Sequence, residues 1–156
     1  MMRTQVEPYM DAVGELAPLW PLQWAEVSTH GGRFPLAPRY EVYETLAKHD
    51  ELALVTLRDD GNVLMGYCLC FFGPDIHAKH CIQAATDGIF VHPLARGRLG
   101  GFRLLRAMRR ELRARGVHRW VGGDIVGNGH RVGRLLELSG FAVSEIGYAQ
   151  WLGEPT

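Results

Sequence analysis

Arg96 and Arg98 flank Gly97 in the stretch Arg96-Gly97-Arg98-Leu99-Gly100-Gly101, which runs into a predicted helix from Phe102 to Arg115. Unpaired main-chain N–H groups converge at such a helix start, and the helix dipole adds partial positive charge there. With two guanidinium groups beside them, the natural guest is a phosphate or pyrophosphate. The chemistry points to a phosphorylated cofactor rather than a bare metabolite. Just upstream, Ile89-Phe90-Val91-His92 reads as a buried strand stopped by Pro93. Asp87 lies in that apolar strand four residues before Val91, so two-residue alternation puts both on one face. A carboxylate in such a strand is costly unless paired or functional. It is either a reactive group or a structural Asp bonded to a neighbouring loop.

Other residues offer weaker chemistry. Trp20, Trp24 and Glu26 combine two aromatic rings with one carboxylate, which suits a cationic amine, or they form an amphipathic helix with Glu26 on its wet face. Asp124 ends a predicted strand and either binds an ammonium or caps the next loop. Tyr148 is a possible proton donor or a strand aromatic packed on the sheet. Cys68-Leu69-Cys70 with His77 and His80 invites a zinc reading, but no closed tetrad with the usual spacing is present, so no metal is expected.

The elements that must position these groups follow from periodicity and turn chemistry. Residues 8–30 read as helix in two pieces broken around Pro18 and Pro21, residues 30–35 as a loop, and Tyr40–Lys48 as a short helix. Leu52–Leu57 and Val63–Phe72 form a hairpin around Asp59-Asp60-Gly61-Asn62. A third strand runs from Cys81 to Val91, the arginine helix follows, and His118–Asp124 is a further strand. His130–Ser139 is a helix capped by Gly140, and Phe141–Leu152 reads as a final strand. The expected fold class is α/β: one mixed, largely antiparallel twisted sheet of about six strands flanked by helices.

The chain has 156 residues, 47% apolar and 22% charged, which is one ordinary domain (1–156) with a real core. Its zero formal charge hides an asymmetry: nine arginines lie between Arg96 and Arg119, with Glu111 the single acid there. A local basic band suits an anionic ligand better than nucleic acid, which usually meets a chain basic overall. The three cysteines read as reduced, buried thiols. With no apolar leader and no run of ~20 apolar residues, a cytoplasmic protein with no membrane partner is expected.

The order of elements, with Val91-His92-Pro93-Leu94-Ala95-Arg96-Gly97-Arg98-Leu99-Gly100-Gly101, Leu104-Leu105 and Leu135 through Gly140-Phe141, resembles the GCN5-related N-acetyltransferase (GNAT) superfamily. Trp24-Ala25-Glu26 and Pro74 to His80 look like features of its small phage and prophage members. The resemblance implies a sheet splayed at its central parallel strand pair, with residues 1–50 as a helical acceptor-side lid and 51–156 as the acetyl-CoA-binding core. It implies acetyl transfer from acetyl-CoA to a primary amine, on a small molecule or a peptide. Phe90 and Val91 would meet the pantetheine, and Arg96, Gly97, Arg98, Leu99, Gly100 and Gly101 the diphosphate. Leu99 replaces a family glycine; its N–H still reaches a phosphate if its φ stays negative, and otherwise the loop is reshaped. Asp87 would be the base and Tyr148 the acid, since Leu136 occupies the family's tyrosine position. Trp24, Glu26 and Asp124 would bind the amine. A catalytically silent acyl-CoA-binding protein and a nucleic-acid module are the alternatives, and a shortened sheet edge favours a homodimer.

Overall fold

The run Leu52–Arg58 is buried at every residue, because the strand it forms is covered on both faces. The computed structural model describes residues 1–29 and 32–153. Its elements are β1 (Arg3–Val6), α1 (Tyr9–Leu16), α2 (Trp20–Val27), α3 (Tyr40–Lys48), β2 (Leu52–Arg58), β3 (Leu64–Pro74), β4 (Ile82–Val91), α4 (Gly100–Ala114), β5 (Arg119–Val121) and α5 (Arg131–Leu138). The strands form one sheet in the order β1-β2-β3-β4-β5. All neighbours are antiparallel except β4 and β5, which run parallel.

Alternation along β2 and β3 sorts the core into two layers. Ala53, Val55, Leu57, Cys68 and Cys70 face α4, where Leu104, Met108 and Leu112 supply its apolar stripe. Leu52, Leu54, Tyr67, Leu69 and Phe90 face the amino-terminal helices and pack on Tyr9, Ala12, Leu16 and Trp20. Not every arginine of α4 is simply solvated. Arg103 donates to the Met2 carbonyl at 2.6 Å, and Arg109 donates to the Ser139 carbonyl.

The mixed α/β sheet flanked by helices agrees with the sequence reading, with five strands rather than about six. The amino-terminal helix comes in two pieces, as expected: α1 ends at Leu16, a 3-10 turn spans Ala17–Leu19, and α2 opens at Trp20, with Pro18 and Pro21 each in a first turn where no N–H is required. β1 went unforeseen: Arg3-Thr4-Gln5-Val6 has no apolar alternation, and its strand character comes from pairing with β2. The expected strand Phe141–Leu152 is absent. β5 is three residues long rather than seven. His30 and Gly31 of the expected loop lie outside the described residues.

Candidate active site

β4 pairs with β3 from end to end but with β5 only at Gln83, Ala84 and Ala85. From Thr86 to Val91 its other edge has no strand beside it among the described residues. Phe90's carbonyl points at β3, where a Cβ on Gly66 would meet it at 2.6 Å, and His92 N–H donates to the Met65 carbonyl at 2.7 Å. Main-chain groups alternate sides along a strand, so those of Ile89 and Val91 turn to the open edge. Of the expected pair, Val91 therefore offers its amide there and Phe90 does not.

A β-bulge shapes the same strand. Leu69 lies opposite Gly88 and Cys70 opposite Thr86, which leaves Asp87 as the extra residue. Thr86 stays on the α4 face, where its Oγ1 accepts a bond from Trp120 Nε1 at 2.8 Å. Asp87 swings to the other face, while Ile89 and Val91 pack with the α4 layer. The expectation that Asp87 and Val91 share a face is overturned, because an inserted residue resets the two-residue period.

Asp87 opens into a cleft of about 520 Å³ between the sheet, α2, α3 and the segment 34–39. Trp20, Trp24, Phe34, Tyr43, Tyr67 and Phe71 line it, and among the described residues Asp87 is the only acid in the lining. Tyr43 Oη donates to Asp87 Oδ2 at 2.9 Å. Crowding by rings raises the Asp87 carboxyl above its ordinary value, and the Tyr43 bond offsets this only in part. The same environment pushes the Tyr43 hydroxyl upward, burial first and the Asp87 charge second, so it remains a donor at neutral pH. Tyr43 is fixed by rings at 5.7 Å (Tyr9), 5.2 Å (Trp20) and 5.6 Å (Phe71). Gln23 reaches across from α2 to accept a bond from Tyr67 Oη, and its amide fills the space where a Gly88 Cβ would stand, 2.7 Å from Nε2.

On the opposite side of the open edge lies the turn before α4. The first helical bond there is Arg103 N–H to the Leu99 carbonyl at 3.0 Å, so the amides of Gly100, Gly101 and Phe102 precede any intrahelical acceptor. Gly97 has φ +81 and Leu99 φ +59. The condition that Leu99 keep a negative φ is not met; leucine adopts the left-handed conformation that glycine takes without strain. Gly100 and Gly101 serve packing: a Cβ would lie 2.8 Å from Leu57 Cδ2 at the first and 2.7 Å from Leu135 Cδ2 at the second. Arg98 is exposed. Arg96 is committed elsewhere, with Nη2 on both oxygens of Glu26 at 2.7 and 2.8 Å and Nε on the Val91 carbonyl at 2.9 Å. The expected phosphate ligand Arg96 and the expected substrate ligand Glu26 thus bind each other, and Glu26 is not among the residues lining the cleft.

Trp24 does line the cleft. Asp124 does not; its Oδ2 pairs with His130 Nδ1 at 2.6 Å and its Oδ1 accepts from the Ile125 N–H, which makes it a loop cap. Tyr148 is 93% exposed on a segment without strand structure, so nothing orients it toward the cleft. Tyr43, Gln23 and Tyr67 were missed. The available signal was Gly88 beside Asp87, since an isolated glycine in a strand marks a bulge or a close approach.

Residues 18–141 match the family model described as Acetyltransferase (GNAT) family. No curated protein matches the chain significantly in sequence. Among solved structures, the chain is similar to the ribosomal-protein-alanine N-acetyltransferase of Brucella melitensis biovar Abortus 2308, with a TM-score of 0.72 at 20% identity, covering 98% of this chain and 100% of that one. An aminoglycoside acetyltransferase, meta-AAC0020 from an uncultured soil metagenomic sample, solved with trehalose, gives 0.75 at 10% identity, covering 98% and 97%. A predicted acetyltransferase from Clostridium acetobutylicum, solved with acetyl-CoA, gives 0.71 at 13% identity, covering 97% of both chains. At these identities the likeness is one of fold.

Proposed function

This chain belongs to the acetyltransferase (GNAT) family, and we propose that it is an N-acetyltransferase that moves an acetyl group from acetyl-CoA to a primary amine held in the aromatic cleft. The observation that carries this reading is the placement of Asp87. The bulge delivers a carboxylate with no cation partner among the described residues into the cleft, beside the open edge of β4.

The residues fit such a donor. An unpaired strand edge with outward main-chain groups suits an amide-bearing arm, and the free amides of Gly100, Gly101 and Phe102 with exposed Arg98 suit a diphosphate. Acetyl-CoA, when bound, supplies a thioester whose C–S bond breaks as the amide C–N bond forms, leaving free CoA thiol. An amine arrives protonated near neutral pH, and Asp87 is the group that holds the ammonium and takes its proton. Its raised pKa brings it closer to the working pH and makes it a better base. Tyr43 is a positioning residue: its hydroxyl fixes one carboxylate oxygen and leaves the other for the amine. The Val91 N–H, on the open edge, is the main-chain donor available to a developing oxyanion. In this reading residues 20–43, which supply most of the cleft lining, form the acceptor side, while β1 belongs to the sheet.

Calorimetry with acetyl-CoA, together with thiol release over a panel of primary amines, tests the proposal. Wild type is expected to bind and turn over, and Asp87→Asn to bind acetyl-CoA with turnover lowered about a hundredfold or more. Tight cofactor binding with no turnover of any amine would favour a silent acyl-CoA-binding protein.

A further inference from the structure

The cleft is a site of marked chemical bias. Trp20, Trp24, Phe34, Tyr43, Tyr67 and Phe71 present rings to it from four directions of the fold: α2, the segment after it, α3 and β3. The ring at its centre, Tyr43, is clamped between Tyr9, Trp20 and Phe71, so the cage exists before a ligand arrives. A cation over ring faces is attracted to them, and a flat apolar body stacks on them.

Charge narrows the choice. Asp87 supplies one negative charge; the hydroxyls of Tyr43 and Tyr67 stay neutral at physiological pH. The other charged lining residue is Arg39, a cation at the rim that is itself bonded to Glu41 at 3.1 Å. A second ammonium on the ligand would lose its water without finding another carboxylate among the described lining residues, and it would meet Arg39. Polyamines and aminoglycosides carry several ammonium groups and fit poorly.

Peptides fit poorly for another reason. The wall formed by Pro35, Leu36, Ala37 and Pro38 contains two residues with no N–H donor, and the Gln23 Oε1 acceptor is already taken by Tyr67. A peptide backbone entering this cleft would leave polar groups unmatched. About 520 Å³ is room for one or two fused rings and a short chain, not for an extended polymer.

We infer that the acceptor is a monoamine with a flat aromatic body, an arylalkylamine, seated with its ammonium on Asp87 and its ring among Trp20, Trp24 and Phe34. This inference names the substrate class of the proposed transferase and rests on that reading.

The test compares tryptamine and tyramine with spermidine, sisomicin and an alanine-led peptide, using thiol release from acetyl-CoA. The arylalkylamines are expected to lead by at least tenfold in kcat/KM. Trp24→Ala is expected to raise KM for tryptamine severalfold while leaving kcat nearly unchanged. A second measurement needs no turnover: calorimetry of tryptamine with the protein alone, where wild type binds and Asp87→Asn does not. If spermidine, sisomicin or the peptide leads, the substrate class is overturned while acetyl transfer stands. If nothing is acetylated but tryptamine binds in an Asp87-dependent way, the site is an arylalkylamine site and acetyl transfer is what fails. Absence of both turnover and binding overturns the inference.

Discussion

Two carboxylate clusters on this sheet have opposite characters. At the β1–β2 edge, Arg58 is only 3% exposed, and every guanidinium N–H it carries is bonded. Nε and Nη2 reach Glu7 at 2.7 and 2.9 Å, Nη1 and Nη2 reach Glu15 at 2.9 Å each, and Nη1 also reaches the Asn62 carbonyl at 2.8 Å. The Arg58 bond holds the Glu7 carboxyl down at about 2. At the β4 bulge, Asp87 meets rings and a phenol instead of a cation, and its carboxyl is driven up. In the paired cluster one guanidinium holds both carboxylates, so the fold leaves neither of them without a cation. The unpaired one is a site because the fold leaves its charge uncompensated.

The sharpest way to break this contrast is Asp87→Asn. We expect kcat/KM for an accepted amine to fall about 10²–10⁴-fold, the range of a lost general base. The wild-type rate should climb with pH along a limb lying above the ordinary carboxylate value of 3.8, and the variant should lack that limb. Stability runs the other way. The folded state holds the Asp87 proton more tightly than the unfolded state, so raising pH from 3.8 through the raised value lowers stability, and the penalty persists above it. Asp87→Asn should therefore melt higher than wild type at pH 7. A lower melting temperature would mean that Asp87 is a structural group after all.

Arg58→Met should have the converse profile. Removing the cation from the buried Arg58–Glu7 pair costs about 3–5 kcal/mol, because Glu7 keeps its charge with only the neutral donors Gln5 and Thr56. Urea unfolding should show the loss, while kcat per folded molecule at low temperature stays near wild type. The pH dependence of Glu7 adds a milder check. Its carboxyl is depressed, so its stabilisation is complete above the ordinary 4.5 and drains away as pH falls toward about 2. Thermal melts of Glu7→Gln should be flatter than those of wild type across that window.

The contrast was only half legible in the sequence. Asp87 stood out because a carboxylate among Ile89, Phe90 and Val91 is conspicuous, and the strand itself was placed almost to the residue. Its orientation was not readable. Alternation assumes an uninterrupted ladder, and the inserted residue becomes visible only once Leu69 and Cys70 are matched with Gly88 and Thr86. Arg58 gave no local sign, since its partners lie 51 and 43 residues away. Arg96 and Glu26 failed for the same reason: each was given a ligand to hold, and across 70 residues each found the other. Local pattern located the helices and the turn before α4, whereas long-range pairing decided which charges were available.

A smaller test of the open site is Gly88→Ala. The added Cβ would lie 2.7 Å from Gln23 Nε2, the end of a flexible side chain, so the amide gives way rather than the strand. Displaced Gln23 loses Tyr67 and intrudes on the cleft, and KM for the amine should rise severalfold with little change in melting temperature.

The smallest effect is expected at Leu99, the one place where the cofactor side departs from relaxed geometry. Its φ of +59 costs a leucine about 1–2 kcal/mol, and at 64% exposure its side chain recovers little by burial. Glycine removes that strain but loses about 0.5–1 kcal/mol to greater freedom in the unfolded chain. Leu99→Gly should thus gain roughly 0.5–1 kcal/mol in urea unfolding. Acetyl-CoA affinity should not change, because the amide of residue 99 and those that follow keep their directions. Should affinity instead fall tenfold, the leucine side chain itself touches the cofactor. The strain would then be held for binding, as the uncompensated charge of Asp87 would be held for the amine in the proposed transferase.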